Sequence, residues 1–476
     1  MNKRAKKTKV IATLGPASST KEIMLELVKA GADVFRINFS HADYELVKRN
    51  VDIIREINQE YGYNISILGD LQGPKLRVGV VKEGSFLNPG DVLTFTNEPC
   101  EGDSTKVFMT YEKFPQDVKV GERILIDDGK LVFEVIETNQ KDTVKAKTIQ
   151  GGPLSSKKGV NLPNTNVSLP ALTEKDIEDA KFMIENEFDW IALSFVRHAQ
   201  DIIDLKKLIE AHSDFKIPII AKIEKPEGVK NIDEILLECD GLMVARGDLG
   251  VEVPMEEVPV IQKKLVDKAR YYSKPVIIAT QMMETMISSL TPTRAEVNDV
   301  ANNVLDGADA VMLSGETSVG KYPVDVVKNI TKIIKNIEST NLYEKKNDII
   351  EKITCVDDRF VTDMVCLNAV KIAETTGAAA IITLTHSGYT AFQISAHRPT
   401  SRIIVYSSNR RVLTMLNLLW GVRAFYYDMN KSTDETVIQV NMLTHHYGYV
   451  EKGDFVVNLN AMPVYEGGKT NTLRLT

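Results

Sequence analysis

Short apolar runs recur along the chain, and most are followed by a stretch in which apolar residues have helical spacing. Eight such runs occur, in the order TKVIATLG, DVFRINFS, ISILGDL, DWIALSFV, PIIAKIE, DGLMVARGD, PVIIATQ and ADAVMLSGE. Nearly continuous Val, Ile and Leu in strands that alternate with helices indicate a parallel sheet covered on both faces. Eight strand–helix units are the number that closes a (β/α)8 barrel. The pattern therefore predicts an α/β fold built on this barrel, in preference to an open doubly wound sheet.

Two stretches depart from the alternation. Residues 75–169 carry short β-like segments such as GDVLTFT, broken by Gly, Pro and Asn. They predict a small all-β domain inserted in a barrel loop, where it would act as a lid. After the barrel, a polar stretch (YEKKNDIIEK) precedes a second series of strands and helices. The predicted domains are a barrel of residues 1–74 and 170–340, a β-rich lid at 75–169, and a C-terminal α/β domain at 341–476.

Composition and charge narrow the functional classes. A chain of 476 residues is too long for one core, and its net charge of −7 does not favour binding to nucleic acid or an anionic membrane. The four cysteines lack the spacing of a metal or redox site, which indicates a reducing compartment. The apolar run near residue 10 is too short for a signal peptide or a membrane span. We therefore expect a cytoplasmic protein with neither nucleic-acid nor membrane partners.

Polar and charged residues end most of the predicted strands, at the barrel face where enzymes of this fold carry their chemistry. They are Arg36, Asn38 and Ser40 in the second strand region, Asp70 in the third, Lys222 and Glu224 in the fifth, Arg246, Gly247 and Asp248 in the sixth, Thr280 and Gln281 in the seventh, and Ser314 and Glu316 in the eighth. Because unpaired buried charge is costly, charged groups that converge from several strands favour a functional site over a structural one.

Glu224 and Asp248 are carboxylates that end neighbouring predicted strands. Two oxygen donors with room for water and substrate oxygens suit Mg²⁺, and the lack of clustered His and Cys argues against zinc. Arg36, Arg77 and Lys222 would supply positive charge for a phosphorylated or carboxylated substrate. The residues alone therefore predict a metal-assisted barrel enzyme that acts on a small anion.

Longer motifs at these positions resemble the pyruvate kinase family along nearly the whole chain. They are TLGPAS, RINFSH, GDLQGPKLR, KKGVNLP, LSFVR, AKIEKPEG, MVARGDLGVEVP, IIATQMMETM and PTRAEVNDVANNVLDGADAVMLSGETSVGKYP, in the family's order. The resemblance implies Mg²⁺-dependent phosphoryl transfer from phosphoenolpyruvate to ADP, which gives pyruvate and ATP in the last step of glycolysis. It also implies Mn²⁺ as an alternative ion, a homotetramer, and a C-terminal domain used in regulation and oligomerisation.

The resemblance implies roles for individual residues, in four groups. The catalytic residues would be Lys222, Arg36, Thr280, Ser314 and Glu316, with the last three in a relay that protonates the enolate. The substrate-binding residues would be Arg36, Lys222, Arg246, Gly247, Asp248 and Thr280. The nucleotide-binding residues would be Asn38, His41, Arg77 and Lys158. The Mg²⁺ ligands would be Glu224 and Asp248.

The chain departs from most of the family at a monovalent-cation site. Many members hold K⁺ near positions that match Asn38, Ser40, Asp70 and the Leu71 carbonyl, and carry Glu where this chain has Lys75. This sequence resembles the potassium-independent branch, in which the Lys75 ammonium would supply the charge that K⁺ otherwise brings. K⁺ is then not required. The alternative is that Lys75 is a solvated hinge residue and K⁺ still binds.

The segment from Thr383 to Thr390 follows a predicted strand and opens a helix, a geometry suited to binding phosphate. In the resembling family this region often binds a phosphorylated effector. A capped helix start without a ligand is the alternative.

Two other functions compete with the kinase interpretation. A metal-dependent barrel lyase or aldolase acting on a pyruvate enolate would share the two carboxylates and an arginine. It would need neither the lid nor Arg77 and Lys158, so dependence on a nucleotide distinguishes it. A non-catalytic sensor would be expected to lose Lys222, Glu224 or Asp248, and all three are present.

Overall fold

The computed structural model describes residues 6–340, 359–428, 432–462 and 468–476. The chain opens with β1 (Lys9–Thr13), α1 (Lys21–Ala30), β2 (Val34–Asn38), α2 (Tyr44–Tyr61) and β3 (Ser66–Asp70). Thr20 accepts a hydrogen bond from the Ile23 backbone and begins α1, and Gly31 ends it with a φ of 129°. All five residues of β1 and of β3 are buried, as their apolar sequences indicate.

A β-rich insert follows β3. It contains β4 (Phe86–Leu87), β5 (Val92–Thr96), β6 (Lys106–Phe108), α3 (Phe114–Asp117), β7 (Arg123–Ile126), β8 (Leu131–Thr138), β9 (Thr143–Gln150), β10 (Gly152–Pro153) and β11 (Val160–Asn161). Six strands form a sheet in the order β11-β7-β8-β9-β5-β6, and β4 pairs with β10. Phe95 packs edge-on against Phe114 and Phe133 in a core that belongs to the insert alone.

The barrel then resumes. Its remaining elements are α4 (Glu174–Glu185), β12 (Trp190–Leu193), α5 (Ala199–His212), β13 (Ile219–Ile223), α6 (Pro226–Lys230), α7 (Ile232–Glu238), β14 (Gly241–Ala245), α8 (Arg246–Glu252), α9 (Val258–Tyr271), β15 (Val276–Ala279), α10 (Arg294–Leu305), β16 (Ala310–Leu313), α11 (Gly315–Ser318) and α12 (Pro323–Glu338). The strands close in the order β1-β16-β15-β14-β13-β12-β3-β2, and every pair is parallel. The predicted eight-stranded barrel is confirmed.

A C-terminal α/β domain completes the described chain, as predicted. Its elements are α13 (Phe360–Thr376), β17 (Ala380–Leu384), α14 (Tyr389–Ala396), β18 (Arg402–Ser407), α15 (Arg410–Met415), β19 (Val422–Tyr426), α16 (Thr433–His446), β20 (Val456–Asn460) and β21 (Thr472–Leu475). They form a sheet in the order β19-β18-β17-β20-β21, in which β21 alone is antiparallel to its neighbour. The polar stretch YEKKNDIIEK lies outside the described residues, and the predicted domain boundaries stay predictions.

Four aspartates repeat at the N-terminal ends of alternate barrel strands. Each carboxylate accepts a hydrogen bond of 2.7–3.0 Å from a backbone N–H of the preceding barrel strand; the pairs are Asp33 with Val10, Asp189 with Ile67, Asp240 with Ile219 and Asp309 with Val276. Three of the four also contact the C-terminal domain: Asp33 pairs with Arg423, Asp189 accepts from Thr414, and Asp309 pairs with Arg398. The same carboxylates therefore hold barrel strands in register and dock the C-terminal domain on the barrel floor.

Among the described helices, none combines the length and the apolar character needed to cross a membrane.

Candidate active site

The predicted site residues gather at the C-terminal ends of the barrel strands, on the side of the β-rich insert. A cleft of about 1200 Å³ opens there between the two domains. Arg246, Gly247 and Asp248 line its barrel wall, and Leu125 and Asp128 line its wall on the insert. The cleft thus reaches the predicted site through Gly247 and Asp248 and has room for a ligand larger than a small anion.

Lys222 lies at the centre of a buried charge cluster in the barrel mouth. Its Nζ is 3.0 Å from Oδ1 of Asp70 and 3.1 Å from Oε1 of Glu224, and it donates a hydrogen bond of 2.6 Å to Oγ of Ser194. Burial lowers the pKa of Lys222, but the negative charges of Asp70 and Glu224 outweigh burial and raise the pKa above its ordinary value. The ammonium group therefore stays charged at neutral pH.

Asp70 holds a second cation on its other oxygen. Nε of Arg36 donates a hydrogen bond of 2.7 Å to Oδ2 of Asp70, and the guanidinium also donates to Oγ1 of Thr13 at 3.0 Å. Burial raises the pKa of Asp70, but the charges of Lys222 and Arg36 together lower it below its ordinary value. One ionised, buried carboxylate thus orients both cations at the mouth of the barrel.

Glu224 and Asp248 have the properties expected of a pair that holds a divalent cation. Oε2 of Glu224 accepts a hydrogen bond of 2.8 Å from the Phe195 backbone. Burial raises the pKa of Glu224, Lys222 opposes this, and the nearby charge of Asp248 raises it further. Asp248 is half-buried, and its carboxylate accepts no hydrogen bond from the described residues. A divalent cation would offset the repulsion between the two carboxylates, so the residues present fit Mg²⁺.

Within the described chain, no group of three or more His, Cys, Asp or Glu side chains is arranged to hold a metal ion. Mg²⁺ commonly uses one or two carboxylates and takes its other ligands from water and substrate phosphate. Two carboxylates at the barrel mouth are compatible with a Mg²⁺ site that water and substrate phosphate complete.

Gly247 and Thr280 meet on neighbouring strand ends. The Gly247 N–H donates a hydrogen bond of 2.8 Å to Oγ1 of Thr280, and a Cβ at position 247 would lie 3.3 Å from that oxygen. Thr280 has a φ of 69°, a strained conformation for a β-branched residue. The Arg246 guanidinium is engaged by both oxygens of Asp299, at 2.7 and 2.8 Å. The arginine side chain is therefore held by Asp299, and the Gly247 N–H by the Thr280 hydroxyl.

Glu316 organises the loops that follow β15 and β16. It is buried, and its two oxygens accept hydrogen bonds from the backbone N–H groups of Met283, at 3.0 Å, and Ser314, at 2.7 Å. Thr280 and Ser314 both lie on the segments that Glu316 joins. Glu316 thus orients the two predicted relay residues through the backbone.

The predicted nucleotide-binding residues lie on the insert and on the barrel rim. Arg77 and Lys158 belong to the insert, where Arg77 donates a hydrogen bond of 3.0 Å to the Lys157 carbonyl and Lys158 pairs with Asp127 at 2.9 Å. Asn38 lies on the barrel rim and accepts a hydrogen bond of 3.1 Å from the Ser40 N–H. The His41 side chain lies outside the part of the chain that the structure describes.

The predicted monovalent-cation ligands are partly engaged by protein groups. The Leu71 carbonyl accepts a hydrogen bond of 2.7 Å from Oγ of Ser194. Both Asp70 oxygens face cations, Lys222 on one side and Arg36 on the other. Lys75 is exposed, makes no hydrogen bond or ion pair with any described residue, and lines the cleft that Asp248 also lines.

Both parts of the chain match models of one protein family. Residues 5–327 match the model described as "Pyruvate kinase, barrel domain", and residues 363–476 match "Pyruvate kinase, alpha/beta domain". The chain belongs to the pyruvate kinase family.

Curated pyruvate kinases are similar over nearly the full chain. Pyruvate kinase 2 of Synechocystis sp. is 43% identical over 95% of this chain and 76% of its own length. The pyruvate kinase of Mycobacterium intracellulare is 40% identical over 99% of this chain and 98% of its own length. A crystal structure of a pyruvate kinase from Cryptosporidium parvum superimposes with a TM-score of 0.93 at 33% identity, and covers 100% of this chain and 97% of that one.

The sequence analysis missed two polar residues of this candidate site, Thr13 and Ser194. Thr13 ends β1 and accepts a hydrogen bond from Arg36, and Ser194 directly follows β12 and links Lys222 to the Leu71 carbonyl. Both obey the rule that polar residues at the ends of barrel strands face the site. Applying the rule to the first and fourth strands as well would have found them.

Proposed function

We propose that this chain transfers the phosphoryl group of phosphoenolpyruvate to ADP and so forms pyruvate and ATP, as the last step of glycolysis in the cytoplasm. The observation that carries the proposal is the buried cluster in which Asp70 orients Lys222 and Arg36 beside the carboxylates Glu224 and Asp248. Two fixed cations beside a divalent-metal site suit a reaction that moves a highly charged group. Membership in the pyruvate kinase family supports the same activity.

Glu224 and Asp248 would hold Mg²⁺, or Mn²⁺ as an alternative. When bound, the ion supplies positive charge to the oxygens of the transferring phosphoryl group and of the enolate. The protein's own part is to orient both carboxylates. Lys222 and the Phe195 N–H hold Glu224, and Asp248 lies in the first turn of α8.

Arg36 and Lys222 would contact the phosphoryl group as it passes to the ADP oxygen. In this reaction the charge spreads over the equatorial oxygens, so donors already in position lower the barrier without reorganising. Lys222 would then face the enolate oxygen that phosphoryl transfer leaves behind. The Gly247 backbone and the Thr280 hydroxyl would bind the substrate carboxylate, which would displace the hydrogen bonds that they now make with protein groups.

The enolate must still gain a proton on carbon. Both interactions of the Thr280 hydroxyl are with backbone groups, since it donates to the Ala279 carbonyl at 2.6 Å and accepts from Gly247. We therefore assign the proton to a water held beside Thr280 and Ser314, with Glu316 orienting both loops. The water's hydroxide is re-protonated from solvent, which balances the step.

The nucleotide would lie between the lid, residues 75–169, and the barrel. Arg77 and Lys158 would meet its phosphates from the lid, and Asn38 and His41 from the barrel rim. Because Lys158 already pairs with Asp127, nucleotide phosphate would compete with that carboxylate for the ammonium.

Lys75 would replace K⁺. Its ammonium has no described partner and lies in the wall of the cleft. Turned towards the site formed by Asn38, Ser40, Asp70 and the Leu71 carbonyl, this ammonium would supply the charge that K⁺ brings there in other members.

The C-terminal domain, residues 341–476, would serve in regulation and assembly. A cavity of about 250 Å³ is lined by Thr385, His386 and Ser387 before α14, and by Arg359 and Lys469. Hydroxyl groups and basic side chains around one cavity suit a phosphorylated effector. The assembly would be a homotetramer with barrel-to-barrel and tail-to-tail contacts.

Pyruvate formation tests the activity. The assay supplies phosphoenolpyruvate, ADP and Mg²⁺ in a buffer free of K⁺. Turnover that requires ADP and is unchanged by K⁺ supports both the kinase activity and the role of Lys75. Turnover only after K⁺ is added leaves the activity in place and contradicts the role of Lys75.

A Lys75→Glu variant is expected to become dependent on K⁺. Pyruvate chemistry that proceeds without ADP, or no turnover even with phosphorylated sugars as effectors, contradicts the kinase proposal.

A further inference from the structure

A carboxylate outside the reaction centre joins the insert to the barrel. Glu252, the last residue of α8, has a side chain with no exposed surface. Its Oε1 accepts two hydrogen bonds of 2.7 Å, one from Nδ2 of Asn161 in β11 and one from Nζ of Lys225, which follows β13. One oxygen atom thus links a strand of the insert to two segments of the barrel.

Each linked segment also carries a residue of the proposed site. Asn161 lies three positions after Lys158, and Lys225 is adjacent to Glu224. Glu252 ends the helix whose first turn contains Asp248. Movement of Asn161 away from Glu252 would therefore carry the segment that contains Lys158 away from the carboxylates of the metal site.

The position of this contact distinguishes it from the contacts at the hinge. Where the chain returns from the insert, the Arg197 guanidinium donates to the carbonyls of Val167 and Leu169. Where the chain enters the insert, the Gly73 N–H donates to Asp176 at 3.0 Å. Those contacts hold the ends of the insert, whereas Asn161 lies within its sheet. The Asn161–Glu252 bond shares no residue with the hinge contacts.

The contact between Asn161 and Glu252 involves a carboxylate and depends on the cation of Lys225. Hydrogen bonds to an ionised acceptor are stronger than neutral ones, and a buried carboxylate requires a cationic partner. Lys225, with a side chain only 12% exposed, supplies that partner. The amide of Asn161 thus meets an acceptor that Lys225 holds in place on the barrel.

We propose that Asn161 and Glu252 form a latch that holds the lid closed over the cleft, and that Glu252 is a positioning residue for the nucleotide. Glu252 touches neither substrate, and acts through Asn161 on Lys158 and through α8 on Asp248. The expected effect on the KM for ADP rests on the proposed function. The hydrogen bond between the lid and the barrel does not.

The kinetic test compares Asn161→Ala with the unchanged protein. Loss of one hydrogen bond to a charged group is expected to raise the KM for ADP about tenfold. The KM for phosphoenolpyruvate should change little, since its proposed ligands all lie on the barrel. Asn161→Asp should have a larger effect, because it places a like charge against Glu252. Asn88→Ala, in an exposed turn of the insert, is the matched control and is expected to behave as the unchanged protein.

A swapped pair separates the latch from general damage to the fold. In Asn161→Asp combined with Glu252→Gln, the amide and the carboxylate exchange sides, and the hydrogen bond can form again. Lys225 then turns to the carboxylate at position 161, since its Nζ and the Asn161 amide meet at the same Glu252 oxygen. The swap is expected to reverse most of the rise in the KM for ADP that Asn161→Asp causes. A double variant no better than Asn161→Asp alone contradicts the latch.

Hydrogen–deuterium exchange tests lid opening without using activity. The backbone amides of β11 are expected to exchange faster in Asn161→Ala than in the unchanged protein, while those of β8 and β9 stay as they are. Faster exchange in an enzyme that forms no pyruvate would support the latch and refute the proposed function. Normal turnover together with unchanged exchange and an unchanged KM for ADP would overturn the latch and leave the function standing.

Discussion

Lys222 and Asp70 form an ion pair of 3.0 Å across the barrel mouth, with side chains that are only 11% and 1% exposed. The residues come from β13 and β3, which are not neighbours in the barrel, since β12 lies between them. The charge of Lys222 is therefore held in place by the fold before any substrate arrives. Preorganised charge of this kind stabilises a transition state without the cost of reorientation.

Replacing Lys222 by methionine tests this charge directly. Turnover of Lys222→Met is expected to fall about 10²–10³-fold or more, as when one preorganised charge-stabilising donor is removed from an active site. The measurement is kcat for pyruvate formation, with circular dichroism to check the fold. Lys145→Met, at an exposed ion pair in the insert, is the control and should keep its turnover. Near-normal kcat in Lys222→Met would contradict the assigned role.

Gly247→Ala tests the contact with Thr280. The added Cβ would lie 3.3 Å from the Thr280 hydroxyl oxygen, closer than most carbon–oxygen contacts of this kind, so the Gly247 N–H must shift. The KM for phosphoenolpyruvate is expected to rise. Gly250→Ala, in the same helix, meets only a methyl group of Val258 at 3.6 Å and should leave the KM unchanged. Equal effects of the two substitutions would rule out the contact as their cause.

Asp309 and Asp240 offer a matched test of the barrel floor. Both accept a hydrogen bond of 3.0 Å from a strand N–H, but Asp309 pairs with the buried Arg398 and Asp240 with the exposed Lys216. Asp309→Ala leaves a buried charge unpaired and should cost about 3–5 kcal/mol of unfolding free energy. Asp240→Ala should cost only about 1–3 kcal/mol, for the unsatisfied N–H. Denaturant unfolding measures both, and equal losses would contradict the role assigned to Arg398.

The raised pKa of Tyr111 predicts a loss of unfolding free energy at alkaline pH. Its hydroxyl donates to Asp117, and burial together with this bond raises the pKa of Tyr111 to about 12. Because the folded-state pKa lies above the unfolded value of about 10, the contribution is complete below about pH 10 and is lost as the pH rises towards 12. The unfolding free energy of the unchanged protein should exceed that of Tyr111→Phe at pH 7, and the difference should shrink above pH 10. A difference that stays constant with pH would contradict the prediction.

Several features of the fold could be predicted because they are local in sequence. The strands β1, β3 and β14 are buried at every position, and a run of apolar residues is what such strands require. Once eight parallel strands are recognised, their C-terminal ends must share one face of the barrel. That geometry is why Asp70, Lys222 and Glu224 could be grouped before any distance was known.

Contacts between side chains that are far apart in the sequence could not be predicted in this way. Asn161 and Glu252 are 91 positions apart, and Asp309 meets Arg398 across 89 positions. Periodicity says which side of an element faces the core, but not which distant side chain it meets there. Contacts of this kind depend on how the domains pack.

The sequence by itself determined the barrel, the insert, the C-terminal α/β domain and the set of polar residues at the strand ends, because each depends on a pattern within one short segment. Only the tertiary structure decided that Asp70 carries both Lys222 and Arg36, that Ser194 joins Lys222 to the Leu71 carbonyl, and that Glu252 ties the insert to the barrel. The physical reason is that hydrogen bonds and ion pairs act over about 3 Å, and only the packed chain brings distant residues that close.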